Sequence, residues 1–338
     1  MRITRANLGK LVRELAAFGS TIVAPRSQGG YTDFAPILSL DDADLSRVNT
    51  RRSIKQFFFP ASEPILAFSV SGKDVTLEQA DPPKPAKTVI LGSRPCDAAS
   101  LPVMDKVFAW DYNDKFYLDR RAATTVVSIS CTDCDECCFC TGLGLAPDST
   151  QGSDILLTPL SENEYLVEAC SDKGRELAEA HKGLFDKGEG DKAAACKRAT
   201  AKLPKPMDLA KIKTWLDAHF EDSLWKDISL KCLGCGCCTF ICPTCHCFDI
   251  VDEPSGDRGV RRKNWDSCQF AQFTLHASGH NPRADRAARW RQRIMHKFKY
   301  YVDRFGPRSC VGCGRCIREC PVQMDLKDQL RRIENLQG

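Results

Sequence analysis

Two short runs carry the residues best suited to chemistry: Cys232 to Pro243, CLGCGCCTFICP, and Cys310 to Pro321, CVGCGRCIRECP. Each spaces its cysteines as C-x2-C-x2-C-x3-C-P, giving Cys232, Cys235, Cys238 and Cys242 in one copy and Cys310, Cys313, Cys316 and Cys320 in the other. Three thiolates in a tight loop can grip three irons of a cubane cluster, and the fourth, set off along a short helix, reaches a different cluster. The spacing therefore predicts crossed ligation. Cys232, Cys235, Cys238 and Cys320 are expected on one [4Fe-4S] cluster, and Cys310, Cys313, Cys316 and Cys242 on a second. Structural zinc prefers two separated pairs of ligands, which a triplet followed by Cys-Pro does not supply. A disulfide framework suits short secreted chains rather than one of 338 residues with 43% hydrophobic composition.

Six further cysteines are expected to meet at the edge of a sheet. Thr88 to Gly92 and Thr124 to Ser130 are largely apolar runs, the pattern of strands buried on both faces, and a helical segment from Ala98 to Phe108 lies between them. Strand, helix, strand favours parallel pairing, so both strands end at the same sheet edge, where ligand sites collect. The first runs into Cys96 and the second into Cys131 of CTDCDECCFC, which adds Cys134, Cys137, Cys138 and Cys140. A third cluster on Cys96, Cys131, Cys138 and Cys140 is expected, with Cys134 and Cys137 as substitutes. The bland alternative is an inert or regulatory thiol patch.

The remaining elements frame these sites. Leu8, Leu11, Leu15 and Phe18 mark an amino-terminal helix, and Thr21 to Ala24 a short strand. KQFFFP, ILAFSV and VTLEQA, with a turn at Ser71-Gly72-Lys73, read as paired strands, and Phe57, Phe58 and Phe59 as core or domain-packing surface. A hairpin around Ser161 to Asn163 precedes three helical stretches, Lys173 to Lys187, Lys192 to Lys202 and Leu209 to Phe220. The long segment between the two cysteine runs reads as helical from Ala271 onward, interrupted at Asn281-Pro282 and most clearly helical over Ala284 to Tyr301. The expected architecture is an α/β domain with a partly parallel sheet over 1–170, a helical linker over 171–221, and an α-helical two-cluster ferredoxin domain over 222–338.

Other features are weaker. Cys237, Cys245, Cys247 and Cys268 are either sulfur-rich surroundings for a cluster or additional ligands, and Cys170 and Cys196 behave as small apolar residues. Cys242-Pro-Thr-Cys245-His246 matches the haem-attachment spacing, but Cys242 already belongs to the cluster repeat. The histidines 246, 276, 280 and 296 carry no metal signature, and no catalytic residue is assigned. No dinucleotide fingerprint, phosphate-cradling loop or nucleophile triad is present. The basic stretch Arg283 to Lys299 reads as a solvated helix face, as compensation for anionic clusters, or as a docking surface for an acidic partner. The formal charge of +4 falls to roughly 0 with two clusters and roughly −2 with three, so it does not argue for nucleic acid. The amino terminus lacks an apolar signal region and no run of apolar residues is long enough to span a membrane, so a reducing, cytoplasmic setting is expected.

SRPCDAASLPVMDKVF, CTDCDECCFC, CPTCHCFDIVDE, the RRKNWDSCQF to RWRQR block and CVGCGRCIRECPV together resemble the iron–sulfur beta subunit of cytoplasmic sulfhydrogenases and the A subunit of anaerobic sulfite reductases. The resemblance runs in order from about Phe57 to Val322. It implies a subunit without substrate chemistry that passes electrons between an FAD-containing, NAD(P)H-reactive flavoprotein with its own [2Fe-2S] centre and a catalytic subunit of hydrogenase, sulfite reductase or heterodisulfide-reductase type. Cys96, Cys131, Cys138 and Cys140 correspond to that family's amino-terminal cysteines. This chain has Cys134 where the family's Cys-x-x-Pro segment has proline, and Cys137 is additional, departures that point to a subgroup serving a different complex. The rival reading is an iron–sulfur sensor or structural protein, whose only candidate output element is the Arg283 to Lys299 stretch.

Overall fold

The computed structural model describes residues 1–78 and 84–336. Its larger sheet has seven strands in the order β1 (Arg2–Thr4), β9 (Glu164–Ala169), β8 (Ile155–Pro159), β7 (Thr124–Ile129), β6 (Thr88–Ser93), β2 (Thr21–Gln28) and β3 (Tyr31–Pro36). The centre is parallel, β2 with β6, β6 with β7 and β7 with β8, and the antiparallel strands lie outside it. Alternation along the central strands fills both faces. Val89, Leu91, Val127 and Ile129 pack with Leu8, Leu11 and Val12 of the helix Arg5–Ala17, while Ile90 and Val126 face Phe58, Leu101, Met104 and Phe108. Both core clusters are what period-two apolar strands require when each side is covered.

A second sheet, in the order β10 (Phe248–Ser255), β11 (Arg258–Trp265), β4 (Ser62–Ser71) and β5 (Asp74–Glu78), is antiparallel throughout. Its strands come from both ends of the chain, because β11 between the two cysteine runs pairs with β4. The expected strand VTLEQA is β5 up to Glu78; its last two residues lie outside the described ones.

Three local expectations are corrected. Ile54–Phe57 is a 3-10 turn rather than a strand, capped by Ser53, and it swings Phe58 and Phe59 into the core. Lys173 to Lys187 shortens to a helix over Asp172–Ala180 followed by a 3-10 turn. The helical expectation fails before the Asn281-Pro282 break, where Ala271–Thr274 is a single 3-10 turn, and beyond the break the regular helix starts at Arg286, where Asp285 accepts from the Ala288 amide.

The aromatic run joins the two sheets. Phe59 stands 5.3 Å from Phe108 in the α/β core and 5.8 Å from Trp265 at the end of β11. Beside it Glu63, 3% exposed, pairs with Lys263 at 3.3 Å and with Arg120, and Lys263 also meets Asp114 at 2.9 Å. Removing one partner of a buried pair strands the other's charge, at a cost of about 3–5 kcal/mol. Lys263→Met should therefore lower the urea midpoint markedly, whereas Arg261→Met, which breaks the half-exposed pair with Asp252, should leave it nearly unchanged.

The helices Leu209–Ala218, Arg286–Met295 and Leu326–Asn335 build a third core from Trp215, Leu216, Trp290, Ile294, Leu330 and Ile333, against which both cysteine runs pack. No helix among the described residues is long and apolar enough to cross a membrane.

Candidate metal centre

Each cysteine run bends through left-handed glycines before a one-turn helix. Gly234 and Gly236 precede Cys237–Phe240, and Gly312 and Gly314 precede Arg315–Arg318, with φ between +63° and +74°. An L side chain pays about 1–2 kcal/mol per residue in that conformation, so glycine suits a loop whose thiols must all point inward. The fourth cysteine follows the short helix and leaves its own loop's side.

The thiols then line three cavities. The central cavity is walled by Cys242, Cys310, Cys313 and Cys316. The outer one is walled by Cys232, Cys235, Cys238 and Cys320, with Cys237 as a fifth. The fourth cysteine of each run thus stands with the triplet of the other. Cys96, Cys131, Cys138 and Cys140 line the remaining cavity together with Cys134, while Cys137 is not in its wall and packs against the helical core instead.

The parallel strands explain the amino-terminal set. Cys96 follows β6 and Cys131 follows β7, and Ser93 and Ser128 at the strand ends stand 3.0 Å apart. The Cys131 amide donates to the Pro147 carbonyl, and Asp135 accepts from the amides of Cys137 and Cys138, which folds the loop back on itself. The loop is fastened to the second cysteine run. Phe139 N–H donates to Gly312 O at 2.8 Å, Arg318 pairs with Asp135, and buried Arg315 pairs with Asp97 at 2.8 Å. Cys313 lines both this cavity and the central one.

Hydrogen-bond direction sets Cys134 and Cys237 apart from Cys232, Cys242 and Cys320. Cys134 donates to Ala199 O and Cys237 to Glu319 O, both at 3.5 Å, a bond that needs the thiol proton. Cys232 instead accepts from Gly234 N–H at 3.4 Å, Cys320 from Met324 N–H at 3.3 Å and Cys242 from Lys297 Nζ at 3.4 Å. Accepting sulfur is what a metal-bound thiolate needs. Sequence spacing alone could not have made this distinction for Cys134 or Cys237.

Burial pushes the Cys310 thiol up to about 11 and those of Cys238 and Cys140 up to about 12. Such thiols lose their protons when a bound cation compensates the charge, so cysteine-walled cavities fit a metal cluster. Among the thiols that wall these cavities Cys242 shifts the other way, held well below the ordinary thiol value by the neighbouring Cys245 thiol and then by Lys297. Among the described residues no three Cys, His, Asp or Glu side chains close in on a single ion.

The sequence left the basic stretch open between a solvated face, compensation for anionic clusters and a docking surface, and the structure divides it. Within the basic stretch, Arg289, Arg293 and Lys297 recur every fourth residue and are buried on one face, whereas Arg291 pairs with Glu221 and Lys299 with Asp217 and Asp303. The i, i+4, i+8 spacing was the available signal. Cys245 and Cys247 lie beside this face, Cys245 accepting from Arg293 at 3.6 Å, and Cys268 accepts from Gln269 at 3.5 Å. Burial lowers His246 to about 4, and its Nδ1 lies 3.2 Å from the Thr244 carbonyl, the place of a donor rather than a metal ligand.

Residues 231–324 match the family model described as a 4Fe-4S dicluster domain. The sulfhydrogenase 2 subunit beta of Pyrococcus furiosus is 34% identical to this chain over 298 residues, covering 86% of each. No solved structure matches the chain.

Proposed function

The chain belongs to the family of sulfhydrogenase beta subunits, and from that membership we propose that it is the electron relay of a multisubunit cytoplasmic oxidoreductase. Bound [4Fe-4S] clusters would supply one-electron transfer without substrate chemistry. The ligands we propose are Cys232, Cys235, Cys238 and Cys320 for the outer cavity, Cys310, Cys313, Cys316 and Cys242 for the central one, and Cys96, Cys131, Cys138 and Cys140 for the amino-terminal one. An FAD-containing, NAD(P)H-reactive subunit and a catalytic subunit of hydrogenase or reductase type would stand at the two ends.

The observation that carries this reading is the row of three adjoining cavities. Cys313 walls two of them, and Arg293 lines the central one while donating to the Cys238 carbonyl of the outer. Of the proposed ligands only Cys235 is exposed, flanked by Leu233 and Leu230 at 59% and 74% exposure. The row therefore has a buried middle and a surface end, the arrangement a relay needs. A sensor would need a solvent-facing reading element, and Arg289, Arg293 and Lys297 of its only candidate are turned inward.

Iron and acid-labile sulfide on anaerobically purified protein test the proposal. About twelve of each per chain, bleached reversibly by dithionite, are expected for three cubanes. About eight would reduce the amino-terminal cysteines to a thiol patch, and zinc without sulfide would overturn the relay altogether.

A further inference from the structure

Three cations are buried around the central cavity without carboxylates. Lys297, Arg293 and Lys55 are 3, 2 and 4% exposed. Lys297 donates to Cys242 Sγ at 3.4 Å, Thr244 Oγ1 at 3.1 Å and Ser309 O at 2.8 Å; Arg293 donates to Cys238 O and Cys245 Sγ; Lys55 donates to Cys245 O at 3.0 Å. Unpaired buried cations are costly, and one held so firmly implies a nearby anion. Lys297 further sits in a π-helical turn, His296–Tyr300, between the regular segments Arg286–Met295 and Tyr301–Phe305. Such turns are rare and collect at functional sites.

The other two cavities are treated differently. Near the amino-terminal set, Arg315 is paired with Asp97 and Arg318 with Asp135, and buried Arg94 gives its hydrogen bonds to the backbone carbonyls of Leu45, Arg47, Ile129 and Ser130 rather than to sulfur. In the outer cavity, the sulfurs of Cys232 and Cys320 accept from neutral backbone amides, and Arg286 and Arg293 reach only the carbonyls of Cys232 and Cys238. Among the described residues Cys242 is the only proposed ligand whose sulfur accepts from a charged side chain. Charged donors make hydrogen bonds roughly twice as strong as neutral ones, and hydrogen bonds to sulfur together with local charge set cluster potentials.

We infer that Lys297, supported by Arg293, raises the reduction potential of the cluster in the central cavity above the other two, making it the site where an entering electron comes to rest. The reduced cluster carries one more negative charge than the oxidised one, so a fixed ammonium favours the reduced form. The inference rests on the ligand assignment proposed above. Lys297 is a positioning residue for charge and exchanges no electron itself.

A mediated redox titration of the full chain, followed by electron paramagnetic resonance, separates the two. In the native chain one cluster should reduce before the others, and Cys242→Ser should alter the spectrum of that first signal. Lys297→Met should retain full iron while shifting that potential negative by at least the 59 mV that a tenfold change represents for one electron, with the other two unmoved. Lys297→Arg should restore it. If Lys297→Met loses iron, Lys297→Gln, which keeps a neutral donor, is held to the same criterion. A Cys242→Ser change confined to a later-reducing signal, or an unshifted first potential with full iron, would overturn the inference. A Cys242→Ser chain with every signal unchanged would instead overturn the ligand assignment.

Discussion

Cys320→Ser should take about four irons from the chain and leave the cluster bounded by Cys310, Cys313 and Cys316 intact. That outcome runs against sequence proximity, since Cys320 belongs to the second run and lies only four residues past Cys316. The geometry decides it: Cys320 stands with Cys232, Cys235 and Cys238, and the central cavity receives Cys242 instead. Serine keeps the small polar side chain but replaces a soft thiolate with a poor iron ligand. The outer cavity also has the exposed Cys235, so a weakened cluster there is open to solvent and oxidant. Iron analysis with electron paramagnetic resonance of the reduced protein reads the result. Loss of the central signal with retention of the outer one would show that each run serves its own cluster.

Why the cysteine architecture was readable and the second sheet was not follows from the same physics. A cluster-binding pattern constrains spacing in the sequence itself, so the grouping of each run's fourth cysteine with the other run's triplet, and of Cys96 with Cys131, could be anticipated as an arrangement of thiols. The parallel centre was equally visible, because TVILG and TTVVSIS are buried on both faces and must be apolar throughout. β10 and β11 obey no such rule. FDIVDEPS is almost wholly exposed, and RGVRRKNW buries only Gly259 and Lys263 among polar neighbours, so no alternation marks them as strands. Their one local cue was Ser255-Gly256-Asp257, with Gly256 at φ +64°. The strand β3 was hidden likewise behind the Gly29-Gly30 turn. The basic stretch could be weighed but not resolved: whether Arg293 and Lys297 face water or sulfur depends on a core that forms from helices distant in sequence.

The junction between the amino-terminal loop and the second cysteine run is the remaining point where a single atom should have a large effect. Gly314, at φ +74°, faces the backbone of Cys137 so closely that an added Cβ would collide with its carbonyl, and Gly312, at φ +63°, would meet the backbone of Cys140 at 2.6 Å. Neither neighbour is the flexible end of a side chain, so neither can yield without moving the loop that carries Cys138 and Cys140. Gly314→Ala should therefore cost about 1–2 kcal/mol for the left-handed backbone, about 1–3 kcal/mol more for overpacking, and the iron of the amino-terminal site. Gly306→Ala is the control. Its φ is +88° with nothing within 4 Å of the new Cβ, so it should show the backbone cost alone and keep all its iron. Thermal midpoint and iron content of the two variants separate backbone strain from displacement of the loop. If Gly314→Ala retains as much iron as Gly306→Ala, the close contact between loop and run does not hold the amino-terminal cysteines in place, and their cavity must be assembled by Cys96, Asp97 and Arg315 alone.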